Sequence, residues 1–443
     1  GNGIVDTGAL LITGAIDNVG PNTGLLFDGA VTNDNSPQLA GSLGAPLANG
    51  QSLAIYRQLD NGQFVLVGNA TVNGTSWTLQ DANLQDGSYT YQARVMSGAA
   101  LVQSSGDFNL TVVTADPTAP ATTVPEATDH LINAAEKLSD GGVPVLTQVP
   151  ASARVGDIVT TTVTLADGSQ LTLTTALKAA DIQAGRISQL IPAGSLTTDG
   201  VYPVSSTYTS SVTGLTSAPT DNTFTLDTTA PSAPAVALPE SPNGVSAAEA
   251  ASAGGTPIVT TLPADARVGD TVTTVVTQPD GSTITLSTVL TAADLPPAQG
   301  GTASGSGPFT ISQLIPSSAL TVDGAWTTST TITDVAGNTS TATPGSFVLD
   351  TTLPSGPAVN LPESPNGVSA AEAASAGGTP LVCGLPAGAV AGDVVTTVVT
   401  KPGGGTLTLT TTLSAADIAA GTISQLIPSS QLSNANNGAW TTD

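Results

Sequence analysis

The stretch Thr271–Leu290 reads TVTTVVTQPDGSTITLSTVL and indicates the fold of the chain. Thr, Val and Ile dominate both halves of the stretch, and these residue types favour β-strands. Between the halves, Asp280-Gly281 is a turn dipeptide, so the stretch predicts two strands joined by a tight turn. The same dipeptide at Asp167-Gly168 indicates that an earlier part of the chain is built in the same way.

This predicted hairpin belongs to a repeat. The segment Leu238–Pro257, LPESPNGVSAAEAASAGGTP, recurs without change at Leu361–Pro380, and a diverged copy begins at Val124. The joints Asp227-Thr-Thr-Ala-Pro231 and Asp350-Thr-Thr-Leu-Pro354 close two copies. Because proline restricts the backbone, these joints predict short, semi-rigid linkers between domains.

The repeat boundaries divide the 443 residues into five parts. Each full repeat has about seven short strands, which is typical of an immunoglobulin-like sandwich. We therefore expect an all-β, linear array of immunoglobulin-like β-sandwich domains. The parts are 1–5, the tail of a preceding domain; 6–115, an Ig-like domain of a first type; 116–226, a repeat; 227–349, a repeat with a Gly/Ser loop insertion; and 350–443, a repeat truncated at its C-terminal end. The last four parts are called the first to fourth units.

One aromatic residue per unit follows a Gly near the predicted turn between strands E and F. Such a ring resembles the one that anchors this turn in immunoglobulin folds, and we expect it to be a core residue. The motifs are Asp86-Gly-Ser-Tyr89, Asp199-Gly-Val-Tyr202, Asp323-Gly-Ala-Trp326 and Asn437-Gly-Ala-Trp440.

The composition excludes several functions. Eight Lys and Arg against 33 Asp and Glu give a net charge of −25, which argues against binding nucleic acid or anionic membranes. One His and one Cys exclude a Cys/His metal cluster and an internal disulfide. No apolar run spans a bilayer and no signal peptide is visible. His130 is absent from the other copies, and repeated acid pairs do not make one catalytic cleft, so we expect no enzyme.

The acidic residues recur at fixed positions in the repeats. In an immunoglobulin topology the joint and corner Asp residues lie at the lower end of one unit. We expect them to meet the Glu pair, the Gly-Asp and Asp334 at the start of the next. The candidates are Asp6, Asp17, Asp34, Asp86, Asp116, Glu126, Glu136, Asp157, Asp199, Asp227, Glu240, Glu249, Asp270, Asp323, Asp334, Asp350, Glu363, Glu372 and Asp393.

Carboxylates brought together at a joint repel one another unless a cation neutralises them. Ca²⁺ suits such a site because it takes 6–8 oxygen ligands with tolerant geometry, and extracellular modules bind it at roughly 10⁻⁴–10⁻³ M. The sequence therefore predicts Ca²⁺ at the domain junctions. The alternative is that these residues are turn formers, which we expect for Asp60, Asp167 and Asp280.

Several motifs resemble the tandem Ig-like repeats of giant bacterial surface adhesins, the biofilm-associated and RTX-type proteins secreted by type I systems. They are the Asp-Thr-Thr-Ala-Pro joints, INAAE at Ile132–Glu136 and DVAGN at Asp334–Asn338, and Asp17–Leu39 is similar to a second module of that group. The resemblance implies extender domains, stiffened by Ca²⁺ at the joints, that project an adhesive tip from the cell. Ser210–Gly214 reads SSVTG where DVAGN is expected, so that copy lacks a ligand.

The sequence thus predicts a non-enzymatic stalk segment at the bacterial cell surface or in a biofilm matrix, with neighbouring repeats as its partners. A first alternative is a subunit of a self-assembling filament or layer, in which copies of the chain complete the last domain by strand exchange; continuation of the same chain would also complete it. A second alternative is an accessory glycan-binding module, which requires an exposed aromatic platform. We expect no such platform, because the few rings fall at the corner position.

Overall fold

The structure, a computed structural model, describes residues 9–127, 129–363, 366–433 and 438–443. In these ranges the chain is almost entirely β, with a few short helices. Pairs of sheets follow one another along the chain, and each complete pair encloses hydrophobic residues of its own. The prediction of an all-β array of immunoglobulin-like sandwiches is confirmed, while Asp6 lies outside the described residues.

The first unit consists of short strands in two sheets. They are β1 (Leu11–Asp17), β2 (Gly24–Leu26), β3 (Ala30–Thr32), β4 (Gln38–Ser42), β5 (Gln51–Gln58), β6 (Phe64–Asn69), β7 (Thr71–Asn73), β8 (Ser76–Gln80), β9 (Gly87–Ser97), β10 (Ala100–Ser104) and β11 (Phe108–Val112). One sheet has the order β2-β1-β4-β8-β7. The other has the order β3-β11-β9-β5-β6, with β10 paired to β9.

The second unit has the two sheets of an immunoglobulin-like sandwich. Its elements are β12 (Thr122–Thr123), β13 (Leu131–Ile132), α1 (Ala134–Leu138), β14 (Gly142–Gln148), β15 (Ile158–Thr164), β16 (Gln170–Ala176), α2 (Ala179–Ala184), β17 (Arg186–Pro192), β18 (Gly200–Thr209) and β19 (Thr220–Leu226). The sheets are β12-β14-β17 and β13-β19-β18-β15-β16. In immunoglobulin lettering, strands A, B, C, E, F and G of this unit are β12, β14, β15, β17, β18 and β19. The B–C loop therefore joins β14 to β15, the E–F turn joins β17 to β18, and the F–G loop joins β18 to β19.

The third and fourth units repeat this arrangement. The third contains β20 (Ala235–Ala237), β21 (Val245–Ser246), α3 (Ala247–Ala251), β22 (Gly255–Thr261), β23 (Thr271–Thr277), β24 (Thr283–Val289), β25 (Thr310–Pro316), β26 (Gly324–Thr333) and β27 (Thr343–Asp350). The fourth contains β28 (Ala358–Asn360), α4 (Ala370–Ala374), β29 (Gly378–Gly384), β30 (Val394–Thr400), β31 (Thr406–Thr412), α5 (Ala415–Ala420), β32 (Thr422–Pro428) and β33 (Thr441–Thr442). The predicted hairpin at Thr271–Leu290 forms β23 and β24, which pair antiparallel.

Each of the second and third units has two distinct ends. The B–C and F–G loops lie together at what we call the upper end. The E–F turn lies at the lower end beside the end of strand G, because Gly200 at the start of β18 pairs with Leu226 at the end of β19. The short helix before strand B also lies at the lower end, since Ser246 before α3 pairs with Asp350.

The core of the third unit is divided by a polar layer. One apolar group surrounds Trp326 and Phe347, and another surrounds Leu290. Between them, the Thr274 hydroxyl donates to Gln313 Oε1 at 2.7 Å, and the Gln313 amide donates to the Val272 carbonyl at 3.2 Å. These hydrogen bonds tie strand E in one sheet to strand C in the other, which makes the register of the sandwich specific.

The glycine pair before strand B is required by a close backbone approach. Gly255 has a φ of 150°, and a Cβ at this position would lie 1.8 Å from the carbonyl oxygen of Ile315. No side chain fits such a gap, so the start of strand B packs directly on the end of strand E. The same contact explains why Gly-Gly recurs in the repeats.

The corner rings occupy the predicted position. They lie at the start of strand F, and Tyr202 stacks on Phe224 with ring centroids 5.3 Å apart. Asn437 of the fourth motif lies outside the described residues. Each of the other three rings donates a hydrogen bond to the carbonyl four residues earlier: Tyr89 to Gln85 at 2.6 Å, Tyr202 to Thr198 at 2.7 Å and Trp326 to Val322 at 3.0 Å.

A cleft of about 580 Å³ lies in the fourth unit beside Leu361, Val368, Ile427 and Trp440. Strand G fills the corresponding position in the third unit, where β27 pairs with β21 and β26.

We predict that the corner ring contributes mainly through burial. Tyr202→Phe keeps the stacked ring and loses one hydrogen bond, so it should lower the free energy of unfolding of the second unit by about 1 kcal/mol. Tyr202→Ala should lower it by about 3–5 kcal/mol. Native-state hydrogen exchange of the β18 and β19 amides measures both effects. Equal losses for the two variants would contradict the prediction.

Candidate cation-binding junctions

The corner aspartates accept hydrogen bonds from the residues that directly follow strand G. The Asp199 carboxylate accepts the hydroxyls of Thr228 at 2.8 Å and Thr229 at 2.7 Å. These are the threonines of the Asp-Thr-Thr joint, so the structure gives that motif a local role that the sequence analysis missed. Asp323 accepts hydrogen bonds from the hydroxyls of Thr351 and Thr352 in the same way. Asp86 accepts hydrogen bonds from the N–H and hydroxyl of Thr114 and from the N–H of Ala115.

Hydrogen bonding keeps these corner carboxylates ionised. The bonds from Thr114 lower the pKa of Asp86, and those from Thr351 lower the pKa of Asp323. For Asp199, burial opposes ionisation, but the bonds from the joint threonines outweigh it and the pKa is lowered.

Asp116 does not occupy the position of the other joint aspartates. The residue at that position in the first unit is Val113, whose N–H donates to the Thr32 carbonyl as the N–H of Asp227 donates to Ile132. Asp116 lies exposed in the joint and lines a cleft of about 280 Å³ between the first and second units.

Asp157, in the B–C loop of the second unit, is buried and fully hydrogen-bonded. It accepts the N–H of Arg154 at 2.7 Å and both the N–H and hydroxyl of Ser211 at 2.8 Å, together with the hydroxyl of Tyr208. Burial opposes ionisation, but these bonds outweigh it and the pKa of Asp157 is lowered. Burial and the Asp157 carboxylate raise the pKa of Tyr208.

Asp270, at the same position in the third unit, has a different environment. It is 2% exposed and accepts the N–H of Arg267 at 2.7 Å through Oδ2, and no hydrogen bond reaches its Oδ1 from the described part of the chain. Burial raises the pKa of Asp270, and the nearby Asp334 and Asp265 raise it further. Ile332 stands where the second unit has Tyr208, so the donor that stabilises Asp157 is missing here.

The junction of the second and third units collects acidic side chains from both. Asp199 and Asp227 lie at the lower end of the second unit, whereas Asp270 and Asp334 lie in the upper loops of the third. Burial, followed by the charges of Asp334 and Asp199, raises the pKa of Asp227. The carboxylates of the two units are therefore close enough to repel one another.

Amide side chains bridge the same junction. The Asn338 amide donates to the Asp227 carbonyl at 2.8 Å, and its Oδ1 accepts the N–H of Ala134 at 3.0 Å. Asn133 donates to the Ala336 carbonyl at 2.9 Å. At the first junction, the Asn22 amide donates to the carbonyls of Ser211 and Val212 at 3.1 and 2.8 Å. The sequence analysis missed all of these amides, because it searched only for charged ligands.

A second acidic group lies inside the first unit. Asp17 and Asp34 are 5% and 1% exposed, and Thr32 connects them by donating its hydroxyl to Asp17 at 2.5 Å and accepting the N–H of Asp34 at 3.0 Å. Asn33 is also buried, and its Oδ1 has no hydrogen-bond partner in the described part of the chain. The N–H groups of Val19, Asn18 and Ser36 supply further donors, so each carboxylate oxygen of Asp17 and Asp34 accepts one hydrogen bond.

The sequence predicted that the glutamates face the preceding unit, and this prediction is wrong. Glu249 caps α3 by accepting the N–H of Ser246 at 2.8 Å, and Ser246 pairs with Asp350 at the lower end of the same unit. Glu136 and Glu372 cap α1 and α4 in the same way. Glu126, Glu240 and Glu363 follow strand A toward this lower end, and each has one buried carboxylate oxygen that receives no hydrogen bond from the described residues.

The remaining predicted residues are separate from these groups. Asp350 ends β27 and accepts the N–H of Thr352 at 3.0 Å, and Asp393 accepts the N–H of Val390 at 2.9 Å within its B–C loop. Within the described ranges, no three His, Cys, Asp or Glu side chains form a group that could hold a metal ion as they stand.

An aromatic cluster in the first unit contradicts the expectation that all rings lie at corners. The Arg94 guanidinium carbon lies 4.6 Å from the Tyr56 ring centroid and 4.8 Å from that of Phe64. Leu66 pairs with Tyr56 on the same face of the sheet and is 56% exposed. Phe64 and Tyr56 belong to β6 and β5, far from the E–F turn.

No protein-family model and no curated protein matches the chain. Solved structures match the chain with low TM-scores. A Ca²⁺-stabilised adhesin that helps an Antarctic bacterium reach out and bind ice is 24% identical over 93% of this chain and 94% of that chain, with a TM-score of 0.34. A 1.5-MDa bacterial ice-binding adhesin is 23% identical over 73% and 95%, with a TM-score of 0.33. The FN1–FN3 domains of chicken CNTN1 are 9% identical over 77% and 97%, with a TM-score of 0.28.

Within the described ranges, no helix has the length and apolar character needed to cross a membrane.

We predict opposite pH responses for the two B–C loops. The lowered pKa of Asp157 stabilises the second unit at neutral pH, and this contribution is lost as the pH falls below the ordinary value of 3.8. The raised pKa of Asp270 stabilises the third unit below 3.8, and this contribution is lost as the pH rises through the higher folded value.

Protection factors from hydrogen exchange, measured for the two loops from pH 3 to pH 6, test this prediction. Asp270→Asn should remove the response of the third unit without changing that of the second. Parallel responses in the unaltered chain would show that the two carboxylates do not differ in this way.

Proposed function

We propose that this chain is a non-enzymatic extender, or stalk, of a secreted bacterial surface adhesin or biofilm matrix protein. The observation that carries the proposal is that the lower end of one sandwich contacts the upper end of the next. Asn22 makes such a contact at the first junction and Asn338 makes one at the second. Contacts between neighbouring units alone let length be added unit by unit.

Ca²⁺ at the junctions is the second part of the proposal, and the donors at the second junction fit it. The carboxylates of Asp227, Asp270 and Asp334 are hard oxygen ligands, which Ca²⁺ prefers. Asp270 Oδ1 accepts no hydrogen bond from the described residues, and the pKa values of Asp227 and Asp270 are raised first by burial and then by the charge of Asp334. A bound Ca²⁺ would supply the positive charge that offsets this repulsion, while Asn338 and Asp334 hold the loop in place.

Asp17, Asp34 and Asn33 fit a second Ca²⁺ site in the first unit. All three are nearly buried, and the described ion pairs of the chain include none at these residues. Each carboxylate oxygen of Asp17 and Asp34 accepts only one hydrogen bond, and Asn33 Oδ1 accepts none from the described residues, so lone pairs remain for a cation. A cation here would hold β1 and β3 together next to Asn22, which contacts the second unit.

Other predicted ligands fit Ca²⁺ poorly. Each oxygen of Asp157 already accepts two hydrogen bonds, Oδ2 from Arg154 and Tyr208 and Oδ1 from the N–H and hydroxyl of Ser211. The corner aspartates hold the joint residues, and Glu136, Glu249 and Glu372 hold helix caps. We therefore confine the proposed sites to the two groups above.

Removal of Ca²⁺ tests this function. Chelation should shorten the maximum dimension in small-angle scattering and lower the melting temperature, with a stability loss on the order of 1 kcal/mol per site at millimolar Ca²⁺. Readdition of Ca²⁺, but not of Mg²⁺, should restore both. The Asp270→Asn/Asp334→Asn variant should lose the second-junction response, whereas the exposed turn variant Asp280→Asn should behave like the unaltered chain. A melting temperature that chelation leaves unchanged would refute the Ca²⁺ part.

The aromatic cluster of the first unit favours a second candidate function, an accessory glycan-binding module. Arg94, Tyr56, Phe64 and the exposed Leu66 combine a hydrogen-bond donor with rings and apolar surface on one sheet face. Such a mixture is typical of ligand sites. The cation favours a saccharide that bears carboxylates.

We predict that this face binds an acidic polysaccharide such as polygalacturonate. Arg94→Ala should weaken binding about tenfold or more, because a charged hydrogen bond is lost, while Arg267→Ala in the third unit should have no effect. Isothermal titration calorimetry measures both. Binding that is absent in the unaltered chain, or that survives Arg94→Ala, would eliminate this candidate.

A further inference from the structure

We infer that uncharged asparagine contacts, which we call the amide latch, set the orientation of the third unit on the second. The latch comprises Asn133 and the N–H of Ala134 in the second unit, and Ala336 and Asn338 in the F–G loop of the third. The inference deepens the proposed stalk function, on which it rests, by separating orientation from charge neutralisation.

Asn338 is held in place before it reaches across the junction. Its N–H donates to Asp334 Oδ1 at 2.8 Å, and its amide donates to Asp334 Oδ2 at 2.9 Å. The same amide donates to the Asp227 carbonyl at the end of the second unit, and Asn338 Oδ1 accepts the N–H of Ala134. One buried side chain therefore joins two separate segments of the neighbouring unit, which restricts rotation as well as separation.

Asn133 completes the latch from the other side. Its Oδ1 caps α1 by accepting the N–H groups of Ala135 and Glu136, and its amide donates to the Ala336 carbonyl of the F–G loop. The cap fixes the side chain, so little conformational entropy is lost when the cross-unit bond forms.

The latch selects which unit follows which. Ser246 and Ser369 stand where the second unit has Asn133, and a serine caps the helix without offering an amide donor. Leu215 stands where the third unit has Asn338. The lower end of the second unit thus fits an F–G loop of the Asp-Val-Ala-Gly-Asn type. The first junction uses Asn22 of the upstream unit and the carbonyls of Ser211 and Val212.

The latch differs physically from a cation bridge. Its donors and acceptors across the junction are amides and backbone groups, without a formal charge, so chelators and salt leave these bonds intact. A Ca²⁺ bridge through Asp227, Asp270 and Asp334 would be removed by a chelator and weakened by salt. The orientation of the third unit should accordingly persist without Ca²⁺, whereas resistance to heat should not.

Distances between spin labels on the full chain test the inference. Labels at Thr172→Cys and Thr285→Cys occupy equivalent exposed positions on β16 and β24, in a Cys383→Thr background that removes the native thiol. We expect a narrow distance distribution in the unaltered junction, with and without chelator. Asn338→Ala should broaden it about twofold in both conditions, because small interdomain interfaces are otherwise mobile.

Asn133→Ser is the matched variant, since serine keeps the helix cap seen in the third and fourth units and removes only the cross-unit donor. It should broaden the distribution as well, while circular dichroism and the melting temperature stay near those of the unaltered chain. Asn22→Ala, at the first junction, should leave this label pair unchanged.

The outcomes separate the two proposals. An unchanged distribution for Asn338→Ala would overturn the latch. A wild-type distribution that chelation alone broadens as much as Asn338→Ala does would also overturn it and would assign the orientation to the cation. Broadening by both asparagine variants, together with a melting temperature insensitive to chelation, would support the latch and refute Ca²⁺ stiffening.

Discussion

Each junction depends on one interaction. A corner aspartate accepts hydrogen bonds from the residues that directly follow strand G. In the second unit, Asp199 holds Thr228 and Thr229, and in the third Asp323 holds Thr351 and Thr352. The E–F turn is itself anchored by the ring that donates four residues back. The chain therefore leaves each of the first three sandwiches from a fixed point, and at the first two junctions the lower end of one unit contacts the upper loops of the next.

The second junction combines attraction and repulsion in a small volume. Amides of Asn133 and Asn338 hold the units together, while burial and then the charge of Asp334 raise the pKa values of Asp227 and Asp270. The first junction avoids this conflict, because Tyr208 and Ser211 satisfy Asp157. The two junctions of one chain thus differ in their need for a cation, although the units around them share one architecture.

Part of the candidate site followed from sequence. Repetition of Asp199, Asp227, Asp270 and Asp334, combined with the strand order of an immunoglobulin sandwich, placed these residues at facing ends. The pairing of strands in three dimensions determined where the other predicted site residues lie. Asp116-Pro-Thr-Ala-Pro120 resembles the joint that begins at Asp227, yet Val113 occupies the position of Asp227 because strand G of the first unit ends at Val112. The sequence predicted Glu249 at the end that faces the preceding unit. The short strand before α3 instead pairs with the end of strand G, which places Glu249 at the lower end.

The sequence by itself determined the all-β class, the repeat, the ring at each corner and the excess of negative charge, because strand propensity, turn dipeptides and composition are local properties. Tertiary structure decided which carboxylates are satisfied and which repel, and which asparagines cross a junction. Those properties depend on partners distant along the chain: Asp157 accepts the N–H of Ser211, 54 positions away, and Asn338 donates to the Asp227 carbonyl, 111 positions away. Local patterns place a carboxylate at an end of a sandwich, but only the packing of two sandwiches supplies or withholds its partner.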